Sequence, residues 1–224
     1  MGFLKIRLLV ALILVVPLTA FILDKPKILI IGDSISIGYT PFVKANLASD
    51  AYVFHNPGNA GHTGMGLNNI DEWIGNEKWD IIQFNWGLWD LCYRHPDSKV
   101  QGNRDKVNGK ITFEIDEYAS NLDSLVSLLK AKTDAKLVFV TTTYVPVDEA
   151  GRFKKDAKRY NRIAKRIMKK HAIAVNDIFK QSKKIHKKFG KGTDDVHYLE
   201  EGYEELGGVI SKYLKEEVLS IESK

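Results

Sequence analysis

Apolar and polar positions in this chain fall into short extended runs separated by longer helical ones. Five short runs rich in apolar and β-branched residues predict strands, at 27–31, 51–55, 80–86, 136–142 and 172–175. Apolar residues spaced three and four apart predict helices with one buried face, over 118–129 and 153–167, with a last helix over about 200–221. Strands alternating with helices favour a parallel sheet covered by helices, an α/β fold.

The first 23 residues form a separate unit. Lys5 and Arg7 precede an uncharged, mostly apolar stretch from Leu8 to Leu23, which is typical of a secretory signal or of an uncleaved membrane anchor. The stretch is slightly shorter than the roughly 20 residues that span a bilayer, which favours the signal. Either alternative predicts one domain over 24–224 that is secreted, periplasmic or held at the membrane by its N-terminus.

Composition narrows the function classes only slightly. A net charge of +5 on 224 residues is modest, and without a recognition motif it does not predict nucleic-acid binding. Cys92 is the only cysteine, so no internal disulfide can form, and a buried apolar role is expected for it. The most basic stretch is expected to be the solvated face of the helix over 153–167, formed by Lys154, Lys155, Lys158, Arg162, Lys165 and Arg166.

The candidate chemistry begins at Gly32-Asp33-Ser34, directly after the first predicted strand, and is completed near the C-terminus by Asp194 and His197. A serine hydroxyl needs a base to remove its proton, and the base needs a third group to orient it. We therefore expect Ser34 as nucleophile and His197 as base. Helical spacing of three favours Asp194 as the orienting carboxylate, with Asp195 as the alternative.

Two further segments are expected beside this serine. Backbone N–H groups at a helix start can stabilise an oxyanion, so the Ser34 amide is one candidate donor and Gly61, in a glycine-dense loop, is the second. The long polar stretch 91–113 is expected to wall a pocket, because ligands bind at the carboxyl ends of strands in open α/β sheets. The candidates in that stretch for contact with a polar substrate are Arg94, His95 and Arg104. Further candidates are Asp33 beside Ser34, and Asp148, Glu149 and Arg152 after the fourth predicted strand.

These motifs together resemble the SGNH (GDSL-type) hydrolases from Lys27 to the C-terminus. The matching features are Gly-Asp-Ser at 32–34, the Asn-x-x-x-x-Gly loop at 56–61, the strand and glycine turn at 80–90, Tyr160-Asn161, and Asp-x-x-His at 194–197. The resemblance implies a flavodoxin-like three-layer α/β/α fold with a parallel sheet of about five strands. It also implies hydrolysis of acyl esters of carbohydrates or lipids, with no metal or other cofactor.

One position departs from the pattern of that family. Its third motif usually carries an asparagine whose side chain is a third oxyanion donor, and here Trp89 stands at that position. Three alternatives stay open: Asn85 supplies the third donor, the indole N–H of Trp89 supplies it, or no side chain does.

The sequence thus predicts an exported serine esterase that removes acetyl or other short acyl groups from a carbohydrate-like substrate through an acyl-enzyme. One alternative is a lipase or thioesterase for longer acyl chains, with an apolar channel to which Trp73, Trp79, Trp86 and Trp89 would contribute. Another is a non-catalytic glycan-binding protein on a degenerate hydrolase fold, and acyl transfer stays open as well. The expected partner is a small-molecule or glycan ester, with no nucleic acid, and membrane attachment would run only through residues 1–23. The sequence does not determine the oligomeric state.

Overall fold

The apolar run at the start of the domain forms a buried central strand, with every residue after Lys27 fully covered. The structure, a computed structural model, describes residues 24–222, so the predicted signal or anchor over 1–23 lies outside the described residues. Seven strands occur in the described part, namely β1 (Lys27–Ile31), β2 (Tyr52–His55), β3 (Ile81–Phe84), β4 (Tyr93–Arg94), β5 (Lys110–Ile111), β6 (Lys136–Val140) and β7 (Ala174–Asn176).

Five of these strands form one parallel sheet in the order β2-β1-β3-β6-β7. Helices cover both faces of this sheet, and in the described part they are α1 (Ser34–Asn46), α2 (Thr63–Ile74), α3 (Ile115–Lys132), α4 (Lys154–Lys170), α5 (Phe179–Phe189) and α6 (Glu200–Glu222). Helices α1, α5 and α6 pack together on one face, and α2, α3 and α4 on the other. When only the strands of this sheet are numbered along the chain, their order is 2-1-3-4-5, which is the flavodoxin-like order. The flavodoxin-like α/β/α prediction is therefore confirmed.

The order of the strands determines where a ligand site can form. The chain passes from β1 outward to β2 and then returns to β3 on the other side of β1. Such a reversal opens a crevice at the carboxyl ends of the central strands, which is where ligands bind in open α/β sheets. The loops that follow β1 and β3 therefore border this crevice.

Several segments differ from the sequence-based expectations, among them helix α2, which was not predicted. The stretch 91–113 contains the small antiparallel hairpin of β4 and β5 and a 3₁₀ turn at Gln101–Asn103, so it is more ordered than a bare loop. Helix α5 was not predicted, because five of its eleven residues are lysine and only Ser182, Ile185 and His186 are buried. Within residues 24–222, no helix is both long enough and apolar enough to span a bilayer.

Candidate active site

The side chain of Ser34 is held in the crevice by the start of α1. Asp33 is the N-cap of this helix, and its carboxylate accepts a hydrogen bond from the Ile35 N–H at 2.9 Å, as capping residues do. Ser34 is the first residue of the helix and is half-buried. Its Oγ lies 2.9 Å from Nε2 of His197, which is hydrogen-bond distance between a candidate nucleophile and its base.

The carboxylate that contacts His197 is Asp195, and the expectation of Asp194 is wrong. Oδ1 of Asp195 lies 2.5 Å from Nδ1 of His197 and also accepts the backbone N–H of His197 at 2.9 Å. Asp194 is exposed, and its carboxylate lies against Gly192. Spacing of three would bring Asp194 to His197 only on a helical turn, but this segment is irregular and α6 begins only at Glu200.

Hydrogen bonding keeps the Asp195 carboxylate charged. Burial would raise the pKa of Asp195, but the backbone N–H and the imidazole of His197 outweigh it, so the pKa is lowered from its usual value. An ionised Asp195 fixes the proton of the neutral ring on Nδ1. Nε2 then presents its lone pair to the Ser34 hydroxyl, which is the orientation a general base needs.

A cleft with a volume of about 240 Å³ contains these three side chains. The polar stretch 91–113 forms part of its wall, as predicted, although His95 does not line it. The residues that line it are Asp33, Ser34, Asn59, Leu88, Trp89, Arg94, Gln101, Gly102, Arg104, Arg152, Asp195, Val196 and His197. Four of the seven candidates for substrate contact are among them, namely Asp33, Arg94, Arg104 and Arg152, whereas Asp148 and Glu149, like His95, do not line it.

The three arginines of the cleft have different partners. Glu149 is fully buried and accepts Nη1 of Arg104 at 2.7 Å and Nη1 of Arg152 at 2.8 Å. Arg94 donates to the Gly102 carbonyl, and its guanidinium lies 4.8 Å from the centroid of the Trp89 ring. No ion pair of Arg94 with any described residue is present. Of the three arginines that line the cleft, Arg94 is therefore the one without a carboxylate partner.

The expected oxyanion donors are only partly brought together. The Ser34 amide is at the cleft, and no described residue accepts a hydrogen bond from it. Gly61 is buried beside the cleft, and its N–H is already donated to Oδ1 of Asn59 at 2.9 Å. The side-chain amide of Asn85 is turned away from the cleft and donates to the Val140 carbonyl at 2.7 Å. Neither Gly61 nor Asn85 lines the cleft, and their role as oxyanion donors stays a prediction.

Asn59 is a cleft residue that the sequence analysis missed. Because its Oδ1 accepts the Gly61 N–H, its Nδ2 must be the end that is left for other contacts. No described residue accepts a hydrogen bond from this Nδ2, and Asn59 shares the cleft with Ser34. A polar side chain in the glycine-dense loop was the available signal, but only the fold shows that it lines the same cleft as Ser34. Trp89 also lines the cleft, with no partner for its indole N–H among the described residues.

The other chemically distinctive side chains lie away from this cleft. Cys92 is buried, as expected. Trp73, Trp79 and Trp86 belong to the core rather than to a channel. Among the residues that the structure describes, no cluster of three or more His, Cys, Asp or Glu side chains could hold a metal ion.

Comparison with known proteins identifies similar sequences and folds. The sequence profile of the GDSL-like lipase/acylhydrolase family matches residues 30–205. No curated protein sequence matches the chain. Among solved structures, the acetyl xylan esterase AlAXEase has 13% identity and a TM-score of 0.65, over 84% of this chain and 98% of its own.

Two other solved structures have the same fold. The acetylxylan esterase Axe2 from Geobacillus stearothermophilus is 18% identical, with a TM-score of 0.66 over 84% of this chain and 94% of its own. A lipase/acylhydrolase from Enterococcus faecalis is 20% identical, with a TM-score of 0.62 over 86% of this chain and 96% of its own. At these identities the similarity concerns the fold.

Proposed function

Because the chain belongs to the GDSL-like lipase/acylhydrolase family and is an SGNH-type esterase, we propose that it is an exported serine esterase that removes acetyl or other short acyl groups from a carbohydrate-like substrate. The observation that carries this proposal is the chain of hydrogen bonds from Ser34 through His197 to Asp195, at 2.9 and 2.5 Å. These three side chains meet in a cleft open to a substrate.

The proposed reaction has two steps. In the first, Ser34 Oγ attacks the ester carbonyl while its proton moves to Nε2 of His197, and the carbonyl electrons form an oxyanion. The intermediate collapses to an acyl-enzyme, and the leaving alkoxide takes the proton from His197. In the second step His197 deprotonates a water that attacks the acyl carbonyl, which releases the carboxylic acid and restores the Ser34 hydroxyl. Asp195 stabilises the imidazolium that forms in each step.

Asn59 supplies the second oxyanion donor in this proposal. The N–H of Ser34 sits at the N-terminus of α1, where the helix dipole favours negative charge. The Nδ2 group of Asn59 has no protein acceptor, and Asn59 lines the cleft, whereas Gly61 donates its N–H to Asn59 and neither Gly61 nor Asn85 lines the cleft. Asn59 thereby takes over the amide role that is lost where Trp89 replaces the family's asparagine.

The polarity of the cleft supports a short acyl group on a polar alcohol. Arg94, Arg104 and Arg152 line it, and its large apolar surfaces are limited to Leu88, Trp89 and Val196. A long acyl chain needs an apolar channel, and the other three tryptophans are buried in the core. The acetylxylan esterases with the same fold act on acetylated sugars by name, which agrees with this substrate class. Export through residues 1–23 is part of the proposal.

Hydrolysis of p-nitrophenyl acetate, butyrate and octanoate by the purified chain tests the proposal. We expect the highest kcat/KM for acetate, and we expect Ser34→Ala to abolish turnover above background. Ser49→Ala, which removes an exposed serine hydroxyl on the surface, is the matched control and keeps full activity. A preference for octanoate would favour a lipase, and wild-type activity in Ser34→Ala would reject the serine mechanism.

A further inference from the structure

A second cavity, with a volume of about 670 Å³, lies next to the catalytic cleft and is lined by cations. Phe153 and Val147 form its apolar part. Its remaining lining residues are all basic, namely Lys106, Lys154, Lys155, Lys158, Arg159 and Arg162. This basic groove contains no acidic lining residue, so it presents a concentrated positive potential.

Neighbouring positions in the chain line the basic groove and the catalytic cleft. Arg104 lines the cleft, and Lys106, two residues further along, lines the groove. In the same way Arg152 lines the cleft, and the next residue, Phe153, lines the groove. The two short segments are joined by a backbone hydrogen bond from Lys106 to Ala150 at 2.7 Å. The lining of the groove therefore begins within one or two residues of the lining of the cleft.

The cations of the groove are mostly unpaired. Arg159 has an ion pair with Asp156 at 3.1 Å, whereas no ion pair of Lys154, Lys158 or Arg162 with a described residue is present. These last three residues are exposed and stand at i, i+4 and i+8 on α4. Like charges at this spacing destabilise a helix, so the row of cations does not serve the stability of α4.

We propose that the substrate is an acidic polysaccharide, whose esterified sugar enters the cleft while neighbouring anionic sugars lie in the basic groove. This inference rests on the proposed esterase function and names its substrate class. The ammonium groups of Lys155 and Lys106 lie 5.6 and 5.8 Å from the ring centroid of Phe153, so cations that can bind an anionic sugar flank the aromatic ring of the groove. Arg94 provides the unpaired cation for an anionic group within the cleft. A carboxylic ester must be present for Ser34 to act on, which favours an esterified polysaccharide over a nucleic acid.

Binding and turnover on matched acidic and neutral polymers test this inference. The probes are polygalacturonate and xylan for binding, and their O-acetylated forms for turnover. We expect the full-length chain to bind polygalacturonate at least tenfold more tightly than xylan, with an affinity that falls as salt is raised. The triple variant Lys154→Gln, Lys158→Gln, Arg162→Gln should bind polygalacturonate about tenfold more weakly and show a correspondingly raised KM for its acetylated form.

A second triple variant controls for the loss of charge itself. Lys180→Gln, Lys184→Gln, Lys188→Gln removes three lysines at the same spacing from α5, outside the groove, and should keep polygalacturonate binding within twofold of wild type. Equal effects of the two triple variants, equal binding of the two polymers, or tighter binding of duplex DNA or anionic vesicles than of polygalacturonate would overturn the inference. Binding is measured without turnover, so it is decided separately from the esterase function, which p-nitrophenyl acetate hydrolysis reports.

Discussion

Asp194 and Asp195 are neighbours in the chain but have different surroundings. Asp195 lies in an irregular turn whose backbone directs its carboxylate to both the N–H and the ring of His197, whereas Asp194 faces solvent. The sequence pattern correctly predicted that a carboxylate shortly before His197 contacts its ring. It could not select between adjacent aspartates, because the helical spacing that favoured Asp194 applies only if the segment is helical.

Asp195→Asn should lower kcat for p-nitrophenyl acetate by about 10³- to 10⁴-fold. The asparagine side chain can no longer stabilise the imidazolium, and it favours the wrong tautomer of His197. Asp194→Asn is the matched control, because it makes the same chemical change one residue away, and it should keep kcat within about twofold of wild type. A larger loss in Asp194→Asn than in Asp195→Asn would contradict the assignment.

Asn59→Ala should lower kcat by about 10²-fold with little change in KM, because one oxyanion donor is lost in the transition state. Trp89→Phe keeps an aromatic ring for Arg94 but removes the indole N–H, and it should change kcat by no more than a few-fold. Steady-state kinetics on p-nitrophenyl acetate measure both. If Trp89→Phe is the impaired variant and Asn59→Ala is active, the indole N–H is the donor instead.

Asp90 couples the folding stability to pH. It is fully buried, its Oδ1 accepts the N–H and hydroxyl of Thr63, and its Oδ2 has no partner. Burial is the largest cause that raises its pKa to about 6. Since an unfolded Asp titrates near about 3.9, the folded state holds this proton more tightly. The contribution of Asp90 to the free energy of unfolding is therefore fully present below about pH 4 and is lost as the pH rises through about 6.

Asp90→Asn should remove this dependence while keeping the acceptor for Thr63. Relative to the variant, the wild type should lose up to about 3 kcal/mol of unfolding free energy between pH 4 and pH 7. Urea unfolding at the two pH values measures the difference. A difference between the two proteins that does not change with pH would show that Asp90 titrates normally.

At the scale of elements, the packing of α1 against α6 holds the serine and the histidine together. Ser34 begins α1, and His197 precedes α6 by a short turn. The two helices approach closely at Gly207, where an added Cβ would lie 2.6 Å from the Cβ of Phe42. The next residue of α6, Gly208, has open space at the same position.

Gly207→Ala should destabilise the fold by about 1–3 kcal/mol, because the methyl group forces α1 and α6 apart. Gly208→Ala, one residue further along the same helix, should be neutral or stabilising by up to about 1 kcal/mol, because alanine favours a helix. Thermal or urea unfolding of the two variants measures the contrast. Equal stability of the two variants would mean that the α1–α6 contact is looser than described.

Elements with strong periodicity were predictable from the sequence, and elements without it were not. The buried run of β1 and the apolar faces of α3 and α4 matched their predicted positions. Helix α5 was missed because it is rich in lysine and buries only three residues, so its sequence has no clear apolar periodicity. The hairpin of β4 and β5 was missed because its two-residue strands carry no detectable alternation.

At the scale of the whole molecule, strand order explains how distant motifs meet. Ser34 and His197 are far apart in sequence, but the return of α6 beside α1 brings Oγ and Nε2 to 2.9 Å. Motif order therefore predicted the fold and the meeting of Ser34 with His197. The oxyanion contacts were not predictable, because they depend on which way the side chains of Asn59 and Asn85 turn at loop positions.

The most direct test of the central claim is peptide mass mapping after reaction with a fluorophosphonate, which labels only an activated serine. We expect a single phosphonyl adduct on Ser34, formed in the wild type and absent in Ser34→Ala. Labelling should be slowed strongly in Asp195→Asn but not in Asp194→Asn. An unlabelled Ser34 in folded protein, or an adduct on another serine that persists in Ser34→Ala, would contradict the proposal that this cleft is the active site of a serine esterase.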